Sequence, residues 1–152
     1  MAVSCRAEIR AFLASKTLAV VGASRDRKKF GNAVFRELSA KGYRVYPVNP
    51  AAVTIEGERS YPMLSALPEP VDGIVVVVPP SQTDQVVRQA WEAGIRRIWM
   101  QNGAESDSAI RFCEEHGMSV VHHECIMMFA EPARFFHRTH RWVRGLAGRL
   151  PK

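Results

Sequence analysis

The sequence predicts a three-layer, doubly wound α/β fold in which about five parallel strands form the central sheet. The first observation is the continuous β-branched run from Ile74 to Val78, which is typical of a parallel strand covered on both faces. The second is the alternation of short apolar runs with segments of helical periodicity along most of the chain. Such alternation implies right-handed crossovers between parallel strands.

The predicted elements follow one another in a regular order. The predicted helices cover residues 4–14, 31–41, 81–93 and 106–116, and the predicted strands cover residues 18–21, 43–48, 72–78, 97–101 and 118–122. Ser4 and Ser81 are expected to cap their helices, because a hydroxyl accepts from an N–H of the first turn. Residues 51–70 are rich in Pro, Gly, Ser and Glu and predict little beyond a short strand near Ile55 and a turn at 63–66.

The composition bounds the class of protein. The chain has 152 residues, 47% of them hydrophobic and 24% charged, which fits one globular domain with a substantial core. Its longest apolar run, residues 73–80, is far shorter than the roughly 20 residues that cross a bilayer, and its N-terminus shows no signal-peptide pattern. Three cysteines without metal-ligand spacing favour a reducing compartment. We therefore expect a cytoplasmic protein without a metal site.

The carboxyl ends of the predicted strands indicate where a ligand would bind. In doubly wound sheets, ligands lie beyond these ends, at the point where the strand order reverses. Four of the five ends carry Gly, Pro or an uncharged amide, which allow the backbone to approach a ligand closely. These four ends are Gly22-Ala23-Ser24, Val48-Asn49-Pro50, Val78-Pro79-Pro80 and Gln101-Asn102-Gly103.

The first of these loops matches a dinucleotide-binding glycine loop only in part. Gly22 can make the tight turn, and Gly31 can let the helix N-terminus approach a phosphate. Ser24 replaces the middle glycine of that pattern, and the segment RDRKKF lengthens the spacing. A plain strand-to-helix connection with solvated charges is the alternative interpretation.

The end of the second strand argues against a nicotinamide dinucleotide. An NAD site places Asp or Glu there to hold the ribose hydroxyls, but the chain has Asn49, and no carboxylate follows until Glu56. The Arg that an NADP site uses is also missing from residues 49–53. An NADP-dependent oxidoreductase or an NAD(P)-binding regulatory domain remains the alternative.

A cluster of cations favours a ligand with several phosphates. Arg25, Arg27, Lys28 and Lys29 precede a helix N-terminus, which itself attracts anions. The whole chain carries a net charge of +6, which also favours polyanions. A ligand with a pyrophosphate and a further monophosphate would use these cations better than a pyrophosphate alone. Coenzyme A (CoA) has this charge pattern.

Six segments occur in order between residues 17 and 125: VVGAS, the basic segment before Gly31, GYRVYPVNP, IEGERSYPML, VDGIVVVVPP and WMQNGAES. As a set they resemble the small CoA-binding domain proteins, which are relatives of the nucleotide-binding half of the succinyl-CoA synthetase alpha subunit. The resemblance implies a Rossmann-like fold and a CoA or acyl-CoA ligand. It implies no catalytic activity for the domain on its own.

The resemblance also implies how CoA lies on the sheet. The phosphates map to the first loop, the adenine to the end of the second strand, and the rest of the ligand to the third and fourth loops. The corresponding residues are Gly22, Ala23, Ser24, Arg25, Lys28, Lys29, Phe30 and Gly31 for the phosphates, Val48, Asn49 and Pro50 for the adenine, and Val78, Pro79, Pro80, Gln101, Asn102 and Gly103 for the remainder. Asn49 could equally form a turn, and Gln101 could equally satisfy a neighbouring loop.

Other reactive side chains follow the last predicted strand. His122 and His123 with Glu124 could suggest phosphoryl transfer, but the phosphorylated histidine of the synthetases belongs to a later domain, so a polar loop is the preferred interpretation. Cys125 is expected to be a buried structural thiol. A mixed disulfide with CoA is the alternative.

The C-terminal region differs in character from the rest. We expect residues 1–130 to form the CoA-binding domain and residues 131–152 to form a basic amphipathic helix, with arginines on one face and aromatic residues on another. Such a helix could pack on the domain, contact acidic lipid or bind a protein partner. A nucleic-acid partner has no recognised motif to support it. An interaction module that uses this tail and leaves the cleft empty is a further alternative.

Overall fold

The computed structural model of the protein describes residues 6–128, which contain four α-helices and seven strands. The helices are α1 (Arg6–Leu13), α2 (Phe30–Ala40), α3 (Pro80–Glu92) and α4 (Asp107–Glu115). The strands are β1 (Thr17–Val21), β2 (Arg44–Val48), β3 (Thr54–Ile55), β4 (Glu58–Arg59), β5 (Gly73–Val76), β6 (Arg97–Gln101) and β7 (Ser119–Glu124). Single 3₁₀ turns cover Leu64–Ala66 and Ile126–Met128. Ser4 and the tail at 131–152 lie outside the described residues.

Five of the strands form one parallel sheet in the order β2-β1-β5-β6-β7. The chain winds from β1 outwards to β2, returns to β5 on the other side of β1, and continues to β6 and β7. The strand order therefore reverses between β1 and β5, where such sheets open a crevice at their carboxyl ends. The predicted Rossmann-like, doubly wound fold is confirmed.

Helices cover both faces of the sheet and create two hydrophobic cores. Phe12 of α1 and Leu38 of α2 pack with Val75 on one face. Val87 of α3 packs with Ile74 and other residues of the opposite face. Successive residues of β5 thus point to opposite faces, and all four of its residues are buried. This arrangement explains why the strand shows a continuous apolar run instead of an alternating pattern.

The end of β5 differs from the prediction. The strand stops at Val76 instead of Val78, although the Val77 N–H still donates to the Val21 carbonyl at 2.8 Å. The helix α3 then begins at Pro80, with Pro79 in the capping position and no side-chain cap. The predicted cap at Ser81 is wrong, because proline is favoured at the first helical position, where it has no N–H to satisfy.

The segment after β2 contains more structure than the sequence predicted. β3 and β4 form an antiparallel hairpin, where a single short strand near Ile55 was expected. Beyond the hairpin, the Tyr61 N–H donates to the Pro47 carbonyl at 3.0 Å and the Asn49 N–H donates to the Tyr61 carbonyl at 2.9 Å. These bonds cover the outer edge of β2, which explains how a strand containing a proline is accommodated there.

The described helices are short. Within residues 6–128, no helix combines the length and the apolar character needed to cross a bilayer.

Candidate functional site

Two glycines hold the first loop, between β1 and α2, in its shape. Gly22 has φ +119°, and a Cβ atom there would stand 2.3 Å from the Val77 carbonyl oxygen. A Cβ atom at Gly31 would stand 2.7 Å from the Gly22 carbonyl oxygen. Both positions therefore need glycine for close packing of one backbone on another. The sequence assigned Gly31 to the approach of a phosphate, and the structure gives it a packing role as well.

Asn32 is the residue of this loop that sequence reasoning missed. Its side chain is fully buried at the start of α2. Its Oδ1 atom accepts from the Ser24 N–H at 2.8 Å, and its Nδ2 atom donates to the Ser24 carbonyl at 2.6 Å. A buried amide that bonds both backbone polar groups of one residue fixes the two peptide units on either side of that residue. The available signal was a polar side chain directly after Gly31, near the inward face of the helix.

The N-termini of α2 and α3 lie after the two strands that flank the reversal point. Lys29 and Pro79 occupy their capping positions, and neither provides a side-chain cap. In contrast, α4 is capped by Ser106, whose Oγ accepts from the Ala109 N–H. Helix N-termini carry a partial positive charge and unsatisfied N–H groups, so α2 and α3 are suited to receive an anion.

The cations of the first loop lie on the surface. Arg25, Arg27, Lys28 and Lys29 are all exposed. Asp26 shapes the loop, because its Oδ1 accepts from the Lys28 N–H at 3.0 Å. Exposure leaves these cations accessible to an anion.

The end of β2 is tied to the first loop. Asn49 Nδ2 donates to the Ala23 carbonyl at 2.9 Å, and Asn49 Oδ1 accepts from the Ala51 N–H at 2.7 Å. The second of these bonds is the turn that the sequence allowed for Asn49. The first brings the strand end against the loop where phosphates were expected. The ends of β1 and β2 therefore form one continuous surface.

The loops after β5 and β6 are also joined. Thr83 of α3 is fully buried, and its hydroxyl donates to the Ala104 carbonyl at 2.6 Å. Gln101 is 1% exposed, and its Oε1 atom accepts from the Ile126 N–H at 3.1 Å. The Gln101 side chain therefore satisfies a neighbouring segment, as the structural alternative expected. Asn102 and Gly103, which follow it, are exposed and remain accessible to a ligand.

A histidine pair lies at the end of β7, which extends to Glu124 and therefore includes both residues. The two Nδ1 atoms of His122 and His123 are 2.6 Å apart, and His123 Nε2 lies 3.8 Å from Glu105 Oε1. Burial lowers the pKa of His122, and His123 lowers it further. The expected polar loop is thus a strand end. His123 has φ +61°, an uncommon conformation for a residue other than glycine.

The described cysteines differ in accessibility. Cys113 is fully buried on α4, and burial together with Glu114 raises the pKa of its thiol to about 12. Cys125, which directly follows β7, is partly exposed and packs at the margin of one hydrophobic core. In residues 6–128, no group of three or more His, Cys, Asp or Glu side chains is arranged to hold a metal ion.

The sequence also matches a known family. Residues 16–131 match the family described as CoA binding domain. The chain belongs to this family. The match includes the first loop, the hairpin and every strand of the sheet, and the resemblance inferred from six short segments is confirmed.

Members and relatives of the family differ greatly in length. A conserved hypothetical protein of known structure from Pyrococcus furiosus is 43% identical, with a TM-score of 0.70, and the match covers 73% of this chain and 96% of that one. Protein YneT of Bacillus subtilis is 29% identical over 122 residues, which is 80% of this chain and 90% of YneT. The alpha subunit of ADP-forming acetate–CoA ligase II from Pyrococcus furiosus is 27% identical over 126 residues, which is 76% of this chain. The matched region spans only 28% of that ligase subunit.

Proposed function

We propose that this protein binds CoA or an acyl-CoA at the carboxyl ends of β1, β2, β5 and β6 and that it acts as a non-catalytic binding domain. The observation that carries the proposal is the first loop. Asn32 bonds both polar groups of Ser24 there, beside a helix N-terminus without a side-chain cap and next to four cations. A rigid loop of this kind offers N–H groups and charge to a phosphate without having to be ordered first.

The proposed binding mode follows the loops in order. The phosphates contact residues 22–25 and 28–31, the adenine lies near residues 48–50, and the remainder of the ligand passes residues 78–80 and 102–103. At Gln101 the backbone is the proposed contact, because the side chain is buried and bonded to Ile126.

The family supports CoA as the ligand. The family is described as CoA binding domain, and its ligase relatives are named for a reaction of CoA with acetate. The chain covers 28% of the matched ligase subunit, so we propose the binding step alone and leave the ligase reaction to the longer protein. The role proposed for the tail at 131–152 stays a prediction.

Isothermal titration calorimetry with CoA, dephospho-CoA, NADP and ATP tests the proposal. We expect CoA to bind more tightly than NADP or ATP, because neither of those ligands has the pantetheine arm and the 3′-phosphate together. NADP binding tighter than CoA would instead support the oxidoreductase alternative. Failure of CoA to bind at all would reject the proposed function.

A further inference from the structure

An open groove of about 610 Å³ lies beside the first loop, between α2 and the β3–β4 hairpin. Its charged lining residues are Arg25, Arg27, Arg36, Glu56 and Glu58. Three guanidinium groups against two carboxylates leave one positive charge in excess. Arg25 and Arg27 also belong to the first loop, so the groove continues the surface proposed for the CoA phosphates.

The Glu56 carboxylate connects the hairpin to the first loop. It accepts from Arg27 Nε at 3.1 Å and from Arg36 Nη1 at 2.6 Å. Its side chain is 4% exposed, whereas that of Arg27 is 76% exposed. Hydrogen bonding from Arg36 lowers the pKa of the Glu56 carboxyl, and Arg27 lowers it further. Glu56 is therefore an ionised, buried anchor for a side chain that lies mostly in solvent.

This anchor directs Arg27 outwards. The carboxylate takes the Nε–H of Arg27, and among the described residues nothing accepts from its two terminal nitrogens. Arg36 Nη1 also donates to the Arg27 carbonyl at 3.2 Å, which ties the backbone of the same residue. An arginine held at Nε presents its terminal nitrogens as a preorganised donor pair, and this geometry matches phosphate oxygens.

The backbone conformation of Glu56 is unfavourable for a glutamate, which indicates that its carboxylate has a functional role. Glu56 and Gly57 are the two central residues of the hairpin turn, with φ values of +51° and +77°. Asn, Asp and Gly are preferred at such positions, and a residue like Glu is disfavoured there. Strained positions of this kind cluster at functional sites. A longer acidic side chain at this position reaches the arginines of the neighbouring loop.

We infer that Glu56 is a positioning residue that aims Arg27 at the terminal phosphomonoester of the ligand, which for CoA is the 3′-phosphate. Arg25 and Arg36 contribute further positive charge in the same groove. This inference rests on the proposed function and makes it more specific. The protein should prefer an adenosine that carries a monophosphate on its ribose over the same ligand without that group.

The test compares the affinities for CoA and dephospho-CoA in wild type, Glu56→Gln and Glu69→Gln. Glu69→Gln is the matched control, because Glu69 pairs with Arg44 at 3.0 Å near the amino end of β2. We expect wild type and the control to prefer CoA by about tenfold or more, since hydrogen bonds to charged groups are among the stronger ones. Glu56→Gln should lose most of this preference while its affinity for dephospho-CoA stays unchanged.

A second variant covers the case in which Glu56→Gln disturbs the hairpin. Arg27→Gln removes a side chain that is mostly in solvent, so the fold should be retained, and the same loss of preference is expected. Tighter CoA binding by Glu56→Gln would overturn the inference, because Glu56 would then compete with the phosphate instead of positioning its partner. An unchanged preference in both variants would overturn it as well.

The failure of the inference differs from the failure of the proposed function. If wild type binds CoA and dephospho-CoA equally well, the positioning role is rejected and CoA binding stands. If wild type binds neither, both are rejected.

Discussion

Gly31 packs directly on the backbone of Gly22, so that a Cβ atom at position 31 would lie 2.7 Å from the Gly22 carbonyl oxygen. Gly22 in turn packs on Val77, at the end of the neighbouring strand β5. Three backbone segments that meet at the reversal point of the sheet are thus stacked without side chains between them. The shape of the proposed phosphate loop depends on this stack.

We expect Gly31→Ala to destabilise the protein by about 1–3 kcal/mol, the usual cost of overpacking. This result would be opposite to the helix propensity of alanine, which alone favours the substitution by about 1 kcal/mol. Urea unfolding measures the stability, and a CoA titration should show weaker binding because the loop is displaced. Gly42→Ala is the control: Gly42 has φ +98° with no atom near its Cβ position, so CoA affinity should not change. A fully stable Gly31→Ala with normal affinity would contradict the prediction.

Asn32→Ala removes both hydrogen bonds to Ser24. We expect CoA affinity to fall about tenfold or more and stability to fall by about 1–3 kcal/mol, because the half-buried backbone groups of Ser24 lose their partners. Tyr43→Phe provides the comparison, since it removes the bond from the Tyr43 hydroxyl to the Leu13 carbonyl at the amino end of the sheet. That variant should lose stability without losing affinity. If Asn32→Ala behaved in the same way, the loop would not be a binding element.

Replacing Lys28 and Lys29 together by alanine should weaken CoA binding and reduce its dependence on salt, because fewer exposed cations would contact the phosphates. Both side chains are exposed, so the unfolding free energy should be nearly unchanged. A double replacement of Lys16 and Arg44 removes equal charge at the amino end of the sheet and should have little effect on binding. Equal effects of the two double variants would indicate a general attraction to anions instead of a local site.

The pH dependence of stability should reveal His122. Burial lowers its pKa in the folded state below the ordinary value of 6.5, so the unfolded chain takes up the proton first as the pH falls. Its contribution is complete above about pH 6.5 and is lost as the pH falls from there towards the folded-state pKa. The free energy of unfolding in urea should be measured from about pH 7.5 to about pH 5, because this range spans the roughly 6.5 reference pKa of histidine.

His122→Gln should flatten this pH profile, because it removes the group whose pKa burial lowers. Asp72 does not interfere, because N–H groups of Lys16 and Thr17 lower the pKa of its carboxyl below 3.8. If the free energy of unfolding of the wild type did not fall below about pH 6.5, the folded protein would tolerate a charged His122, and the prediction would be contradicted.

Local patterns predicted much of the fold. The β-branched run at β5 and the periodicity of the helices depend on burial along one segment, and both identified their elements correctly. The predicted strand ends were less accurate: β5 stops at Val76, because Pro79 and Pro80 start α3 early, and β7 continues to Glu124. The predicted helix cap at Ser81 was wrong because α3 already begins at Pro80. The sequence allowed Asn49 either a turn or a contact with the ligand. Its side chain makes the turn by accepting from the Ala51 N–H, and it also donates to the Ala23 carbonyl.

The sequence by itself determined the parallel sheet, its flanking helices and the loop at which a phosphate is expected, because hydrophobic periodicity and glycine spacing express local preferences of the chain. The tertiary structure alone decided which distant groups meet. In the sequence, Glu56 follows the end of β2 at too great a distance to supply the ribose-binding carboxylate of an NAD site. The hairpin nevertheless brings its carboxylate to Arg27, which lies 29 residues earlier. Buried contacts such as those of Asn32 and Gln101 depend in the same way on how separate elements pack, and no pattern within a single segment records this.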